Sequence, residues 1–449
     1  MRLKKLVVKN FKSLRNCEVE LGKFNVLVGP NASGKTNLIE VFKLLRKIYV
    51  EKDTNPFLEW WGYNNVVWGG KEELPITVGM LFDVDGYDVY FETTFTGTGG
   101  SFRILREVLE VRGYVTLEKI GSTVKVEHSE TLIIKLLDLL EEARYIGEYH
   151  QINELDPIRH DLIHLKQMII SPFSLKVQPN ESIISLIVPW DPQTMLLNIF
   201  FRSSSFRLNT VGTYENYTYA IAPLSSSTES EDLSVLSIFV MSFVEFLKYP
   251  PVKRISNDIK VPQIPRKETT LSEDASNLIP LLYNIWLREG RLPDEIAKPL
   301  SVAFPNTRVF FQLTEDGRVM MKVFEGNLEL APPGISDGLY KTLAILTATY
   351  LKPPLLMIDE IENSLHPETL ELILDVLRGS ESQVIITTHS PVVVDITEPS
   401  DLILVDKVEG ESRFVKIKDP EKIKKFLNEK GITLSEGWLY GSLLDSDEK

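Results

Sequence analysis

The chain has 449 residues, 43% of them hydrophobic, and its 63 acidic against 49 basic side chains give a formal charge of −14. Length and apolar content of this order suffice for more than one buried core, which excludes a disordered linker. The negative balance repels nucleic acid at long range, leaving a local basic patch as the only route to DNA or RNA, and a single cysteine, Cys17, excludes an intramolecular disulfide and fits a reducing cytoplasm.

The opening "MRLKKLVVKNF" is basic and then apolar, but Lys9 interrupts the apolar stretch and no small-residue cleavage site follows, so no signal peptide is expected. Residues 23–45, "KFNVLVGPNASGKTNLIEVFKLL", predict a strand over Val26–Val28, a glycine loop, and a helix with Leu38, Ile39, Phe42 and Leu45 on one face. The loop satisfies G-x-x-x-x-G-K-[ST] at Gly29, Gly34, Lys35 and Thr36, with Pro30, Asn31, Ala32 and Ser33 inside it and Asn37 behind it. In such a loop the glycines let backbone N–H groups curl round phosphates, and the helix N-terminus adds its dipole. Lys35 then reaches the β- and γ-phosphates, and the Thr36 hydroxyl ligates Mg²⁺.

Residues 74–95 predict a hairpin turning at Asp85-Gly86. "DVDGYD" imitates a calcium loop, but its glycine is misplaced and no distal Glu completes the spacing. "TLIIKLLDLLEEARYI" predicts an amphipathic helix, and a second helix is expected from Asp156-Pro157. The second helix carries His160 and His164 four apart, with His150 nearby; lacking the Glu of H-E-x-x-H, they read as surface or packing histidines rather than a metal site. Residues 199–223 interleave Phe and Tyr with Arg202 and Arg207; strands of an insertion are preferred there to a stacking platform for single-stranded nucleic acid.

The apolar run 233–247 contains Glu245 and falls short of a membrane span, so a buried helix is expected, with Thr228 and Glu231 offering a capping box. Residues 248–267 hold six Lys or Arg against one Asp; a nucleic-acid patch and a solvated linker are both open readings.

"PPGISDGLYKTLAIL", 332–346, starts a helix with a proline–glycine turn, a cap at Ser336 and an anion-favoured position at Asp337. Gly338 in the first turn costs about 1 kcal/mol against alanine, which implies a close approach to the backbone there. Residues 352–377 predict a buried strand, Leu355–Ile358, ending in Asp359 and Glu360. Such a pair delivers one carboxylate, Asp359, to a metal's water shell and leaves the other, Glu360, to orient or deprotonate a water. A further strand, "VIITT", carries His389 out at its end, where a histidine can bond a γ-phosphate.

Together these residues resemble an ABC-type ATPase of the RecF/SMC/OLD-like, AAA_21-like branch. "GPNASGKTN" is similar to its Walker A motif, "LLMIDEIENSLHP" to its Walker B motif with the D-loop at Asn363 to Pro367, and "ITTHSP" to its H-loop. "LVVKNFKSL" is similar to its N-terminus, and the resemblance places Lys12 or Ser13 near the phosphates. The usual Leu-Ser-Gly-Gly signature reads Ile335, Ser336, Asp337, Gly338 here, an S-D-G form shared by a subgroup, as are "LSEDASNLIPLL" and "EGWLYGSLL". No Gln lies between Asn37 and Gln151 to serve as the Q-loop residue, for which Asn64 or Asn65 are the substitutes at hand.

The resemblance implies an α/β fold: a P-loop ABC-ATPase head with a mixed central sheet, flanking helices and an antiparallel β subdomain, plus a helical signature lobe and an α+β insertion. The expected division is 1–115 and 352–405 for lobe I, 116–265 for the insertion, 266–351 for the signature lobe and 406–449 for a tail. Neither a coiled-coil arm nor a Toprim nuclease is expected. The resemblance further implies ATP and Mg²⁺ as cofactors and a cytoplasmic homodimer in which Ser336 and Gly338 of one copy close over ATP held by the other. DNA and a separate nuclease or effector protein are the further partners it suggests, with no membrane. Asp337 would repel a triphosphate and is expected to turn toward its own helix.

Overall fold

The computed structural model describes residues 1–128, 173–186 and 231–441. The His150, His160 and His164 group and the aromatic stretch 199–223 lie outside them. Two compact units are formed: Met1–Asn10 with Asp53–Val244, and Phe11–Lys52 with Glu245–Lys449.

The chain opens with β1 (Arg2–Phe11), β2 (Leu14–Glu20) and β3 (Phe24–Val28). β4 (Ile76–Val84), β5 (Tyr87–Thr96), β6 (Arg103–Val111), β7 (Val115–Ile120), β8 (Thr123–His128) and β9 (Phe173–Lys176) then form, with β1, an antiparallel sheet in the order β1-β4-β5-β6-β7-β8-β9. Alternation drives it: β4 buries Ile76, Val78, Met80, Phe82 and Val84 on one face. On that face Phe82 meets Phe239 with ring centroids 5.4 Å apart, and Phe91 meets Phe243 at 5.1 Å. Both partners belong to the helix Glu231–Lys248 expected from the apolar run. The β4–β5 hairpin turns where expected, with Asp85 at φ 52° and Gly86 at φ 93°, both left-handed as a type I′ turn demands. The segment 173–186 is tied down by buried Glu107, whose carboxylate accepts from Ser182 Oγ and the Ile183 amide, each at 2.8 Å.

In the second unit a small antiparallel sheet comprises β10 (Thr307–Leu313), β11 (Val319–Glu325) and β12 (Leu328–Leu330). The main sheet adds β13 (Leu355–Ile358), β14 (Gln383–Thr388), β15 (Leu402–Val408) and β16 (Glu411–Lys416), in the order β13-β14-β3-β15-β16. The first four run parallel and β16 returns antiparallel, so the sheet is mixed, as expected. β3, β13 and β14 are buried along their whole length, which is why, apart from the amides Asn25 and Gln383, they read as apolar or β-branched runs. Val26, Ile358 and Ile386 of the sheet share one core with Leu343 of the helix Asp337–Tyr350 and with Ile373 and Leu374 of the helix Pro367–Gly379. Parallel order puts the carboxyl ends of β3, β13 and β14 on one edge, where sheets of this class bind ligands. The glycine loop, the Asp359-Glu360 pair and His389 each follow one of those ends. Among the described residues no helix is long and apolar enough to cross a membrane.

Candidate nucleotide site

The loop between β3 and the helix Lys35–Tyr49 is shaped by its glycines. A Cβ on Gly29 would lie 2.1 Å from the Val405 carbonyl oxygen, and one on Gly34 would lie 1.9 Å from Ser412 Oγ. Gly34 has φ 110° and Ala32 φ 62°, so the chain coils left-handed before the helix begins. No side chain caps that helix, which leaves its first N–H groups for an anion. Lys35 is 7% exposed, and its Nζ donates to the carbonyls of Gly29 at 2.8 Å and Pro30 at 2.9 Å. Burial lowers its pKa while Glu362, Asp359 and Glu360 oppose the shift, so the ammonium is held over the loop against nearby carboxylates.

A relay of hydroxyls stands behind the loop. Asn37 Nδ2 donates to Ser13 Oγ at 2.6 Å, Ser13 and Ser412 share a hydrogen bond of 2.6 Å, and Ser412 Oγ donates to the Ser33 carbonyl at 2.6 Å. Each hydroxyl has one proton, and the Ser412 proton goes to Ser33, so the run is directional: Asn37 to Ser13 to Ser412 to Ser33. The Ser412 amide also donates to the Ser13 carbonyl at 2.9 Å. Of the two residues expected near the phosphates, Ser13 therefore sits against the loop, whereas Lys12 pairs with Glu40 on the helix. Ser412 escaped sequence reasoning because "ESRFVK" carries no motif; only the return of β16 beside β15 brings it to Gly34. Asn64 and Asn65 lie in a short helical turn, Tyr63–Asn65, of the first unit.

The acidic half of the site is equally constrained. Asp359 is 8% exposed; its Oδ1 accepts from Thr387 Oγ1 at 2.5 Å and from Thr36 Oγ1 at 3.1 Å. Burial raises its pKa, opposed by those hydroxyls and by Lys253. The Glu360 amide donates to Thr387 Oγ1 at 2.8 Å, so one threonine holds both acids. That bond helps keep Glu360 at φ 49°, an uncommon angle for a non-glycine residue, and Asn363 Nδ2 donates to its carboxylate at 2.6 Å. His389 donates its amide to Glu362 Oε1 at 2.8 Å, with Nδ1 3.0 Å from the same oxygen. Thr387 and Glu362 were not singled out from sequence, although each lies inside a quoted motif, two residues from His389 and Glu360 respectively.

The helix Asp337–Tyr350 answers the question raised by its glycine. Ser336 Oγ caps it by accepting from the Leu339 amide at 3.2 Å. A Cβ on Gly338 would lie 2.6 Å from the Ser364 carbonyl oxygen, so the close approach is made by the chain's own loop after β13. Asp337 does not fold back on the helix; it pairs with Lys260 at 2.7 Å, an opposite charge being a stronger partner than a helix end.

A family model described as "AAA domain, putative AbiEii toxin, Type IV TA system" matches residues 131–395, more than half of the chain, and one described as "AAA ATPase domain" matches residues 1–140. Two proteins named DNA replication and repair protein RecF, from Vibrio campbellii and Vibrio parahaemolyticus, are each 41% identical over 46 residues, 10% of this chain and 13% of the relative's length. Among solved structures, an SMC head bound to the C-terminal winged-helix domain of ScpA is 13% identical, with 95% and 100% of the two chains covered and a TM-score of 0.46. The SMC head of Pyrococcus furiosus bound to the ScpA C-terminal domain is 16% identical, covering 96% and 99%, with a TM-score of 0.44. That of Thermotoga maritima is 14% identical, covering 93% and 100%, with a TM-score of 0.39.

Proposed function

The chain belongs to the AAA_21 family of AAA ATPase domains, and on that premise we propose that it binds ATP with Mg²⁺, hydrolyses it, and pairs with a second copy while ATP is bound. The observation that carries the reading is the hydrogen bond between Thr36 and Asp359, 323 residues apart in sequence, at 3.1 Å. It sets a hydroxyl and a carboxylate side by side, the hard oxygen donors that suit Mg²⁺, which takes few protein ligands and fills its shell from phosphates and water. Bound between them, the ion would withdraw charge from the β- and γ-phosphate oxygens.

The chain's own groups supply the rest. The loop amides and Lys35 hold the phosphates, Lys35 exchanging its two carbonyl bonds for phosphate oxygens. Glu360, oriented by Asn363 and by the Thr387 bond to its amide, accepts the proton of the attacking water. His389, steered by Glu362, donates toward the γ-phosphate. Ser336 and Gly338 of a second copy close over that phosphate, so hydrolysis releases the pair. Glu360→Gln should bind ATP, fail to turn it over and accumulate as an ATP-bound dimer in size-exclusion chromatography; normal turnover in this variant would sink the assignment.

We place this switch on DNA, in repair or in defence against foreign genetic elements, with a separate nuclease or effector. The RecF proteins, named for DNA replication and repair and matching over 46 residues, support that direction. DNA-stimulated ATPase activity or salt-sensitive DNA binding tests it. One observation favours a second reading, a nucleotide-gated scaffold for a protein effector. Within the basic stretch 248–267, Lys248 pairs with Glu245, Lys253 with Glu273 and Lys260 with Asp337, so half of its six cations are engaged inside the chain. A pull-down that returns a stable protein partner free of nucleic acid would select the scaffold.

A further inference from the structure

Lys341 lies on the helix Asp337–Tyr350, one turn beyond Gly338, and is 2% exposed. A buried ammonium is costly unless something holds it, and apolar residues of similar length would fill the same space. Its Nζ donates to the Lys253 carbonyl at 2.9 Å. The residue before, Val252, is laced to the end of β13: its amide donates to Met357 at 2.8 Å, and its carbonyl accepts from the Asp359 amide at 2.9 Å. Lys341 thus reaches the backbone that fixes Asp359, and its charge faces Asp359, Glu362 and Glu360, which act against the desolvation that lowers its pKa to about 8. The same helix also touches the loop after β13 at Gly338, against the Ser364 carbonyl.

We propose that Lys341 is a positioning residue for ATP hydrolysis: it ties the helix that begins at Ser336 to the Asp359–Glu362 carboxylates of the same chain, keeping Glu360 in its reactive place. The proposal rests on the ATPase reading above. Three carboxylates within four residues repel one another, and a cation delivered from the neighbouring helix offsets that repulsion without competing for Thr36. Lys35 binds phosphate and is drawn away when ATP enters; Lys341, bonded to Lys253, stays.

The test compares wild type, Lys341→Met and Lys341→Arg by steady-state ATPase kinetics, affinity for a fluorescent ATP analogue, and thermal melting. Lys341→Met should melt no lower than wild type and bind the analogue within about twofold, yet lose at least tenfold in kcat, with Lys341→Arg restoring part of the loss. Wild-type kcat in Lys341→Met overturns the proposal. So does a kcat loss that comes with lower melting and weaker nucleotide binding, since that assigns the lysine to folding. A wild type without ATPase activity removes the functional reading and this one together; an active wild type matched by Lys341→Met removes this one alone.

Discussion

Ser412 shows how much of a glycine loop can hang on one side chain outside it. Its hydroxyl fills the space that a Cβ on Gly34 would take and passes a hydrogen bond from Ser13 to the Ser33 carbonyl. Replacing it by alanine leaves a buried donor and a buried acceptor unpaired, each worth roughly 1–3 kcal/mol. Ser412→Ala should therefore raise the dissociation constant for an ATP analogue by tenfold or more, measured by fluorescence titration, while far-ultraviolet circular dichroism stays unchanged. Gly29, Gly34, Lys35 and Thr36 were legible in the sequence because the spacing itself encodes the loop. Ser412 was not, because a serine on an antiparallel edge strand acquires its role only from the strand beside it.

The helix Asp337–Tyr350 carries both a fold-level and a proposed functional load at its first turn. Losing the Ser336 cap costs about 1 kcal/mol, so Ser336→Ala should lower the melting temperature by a few degrees even in a nucleotide-free monomer. Gly338→Ala forces a shift of the loop at Ser364, because backbone rather than a flexible side chain stands in the way. Its effect should exceed that of the cap and should also appear without nucleotide. If both variants keep wild-type melting and lose only ATP-driven pairing, these residues act between copies rather than within one. The Pro-Gly turn, the cap and the glycine were each readable in "PPGISDGLYK"; that the neighbour of Gly338 is Ser364 was not, because that contact joins two segments distant in sequence.

Across the molecule, the acidic site and its buried lysine predict a pH dependence with a definite sign. Lys341 is lowered from 10.5 to about 8 in the folded protein by burial, with Asp359, Glu362 and Glu360 opposing. Between those values the unfolded chain binds the extra proton, so stability rises with pH across the window. The desolvation cost is fully present below about pH 8 and gone above 10.5, and amounts to roughly 3 kcal/mol at most. Lys341→Met should therefore melt higher than wild type at neutral pH, and the gap should close toward pH 10.5 in differential scanning calorimetry. A gap independent of pH would mean that methionine packs better and the charge is irrelevant.

By itself the sequence determined the strand–loop–helix around Gly29–Thr36, the acidic pair after a buried strand and the type I′ hairpin at Asp85-Gly86. Each is governed by short-range spacing or by alternation along a few residues. The tertiary structure alone decided which distant groups meet: Thr36 with Asp359, Ser13 with Ser412, Asp337 with Lys260, and Lys341 with Lys253. Those pairings follow from strand order, which brings β3, β13 and β16 into one sheet although the chain between them runs through more than three hundred residues. Local patterns set which backbone forms, while the order in which buried strands assemble sets which polar side chains are left facing one another.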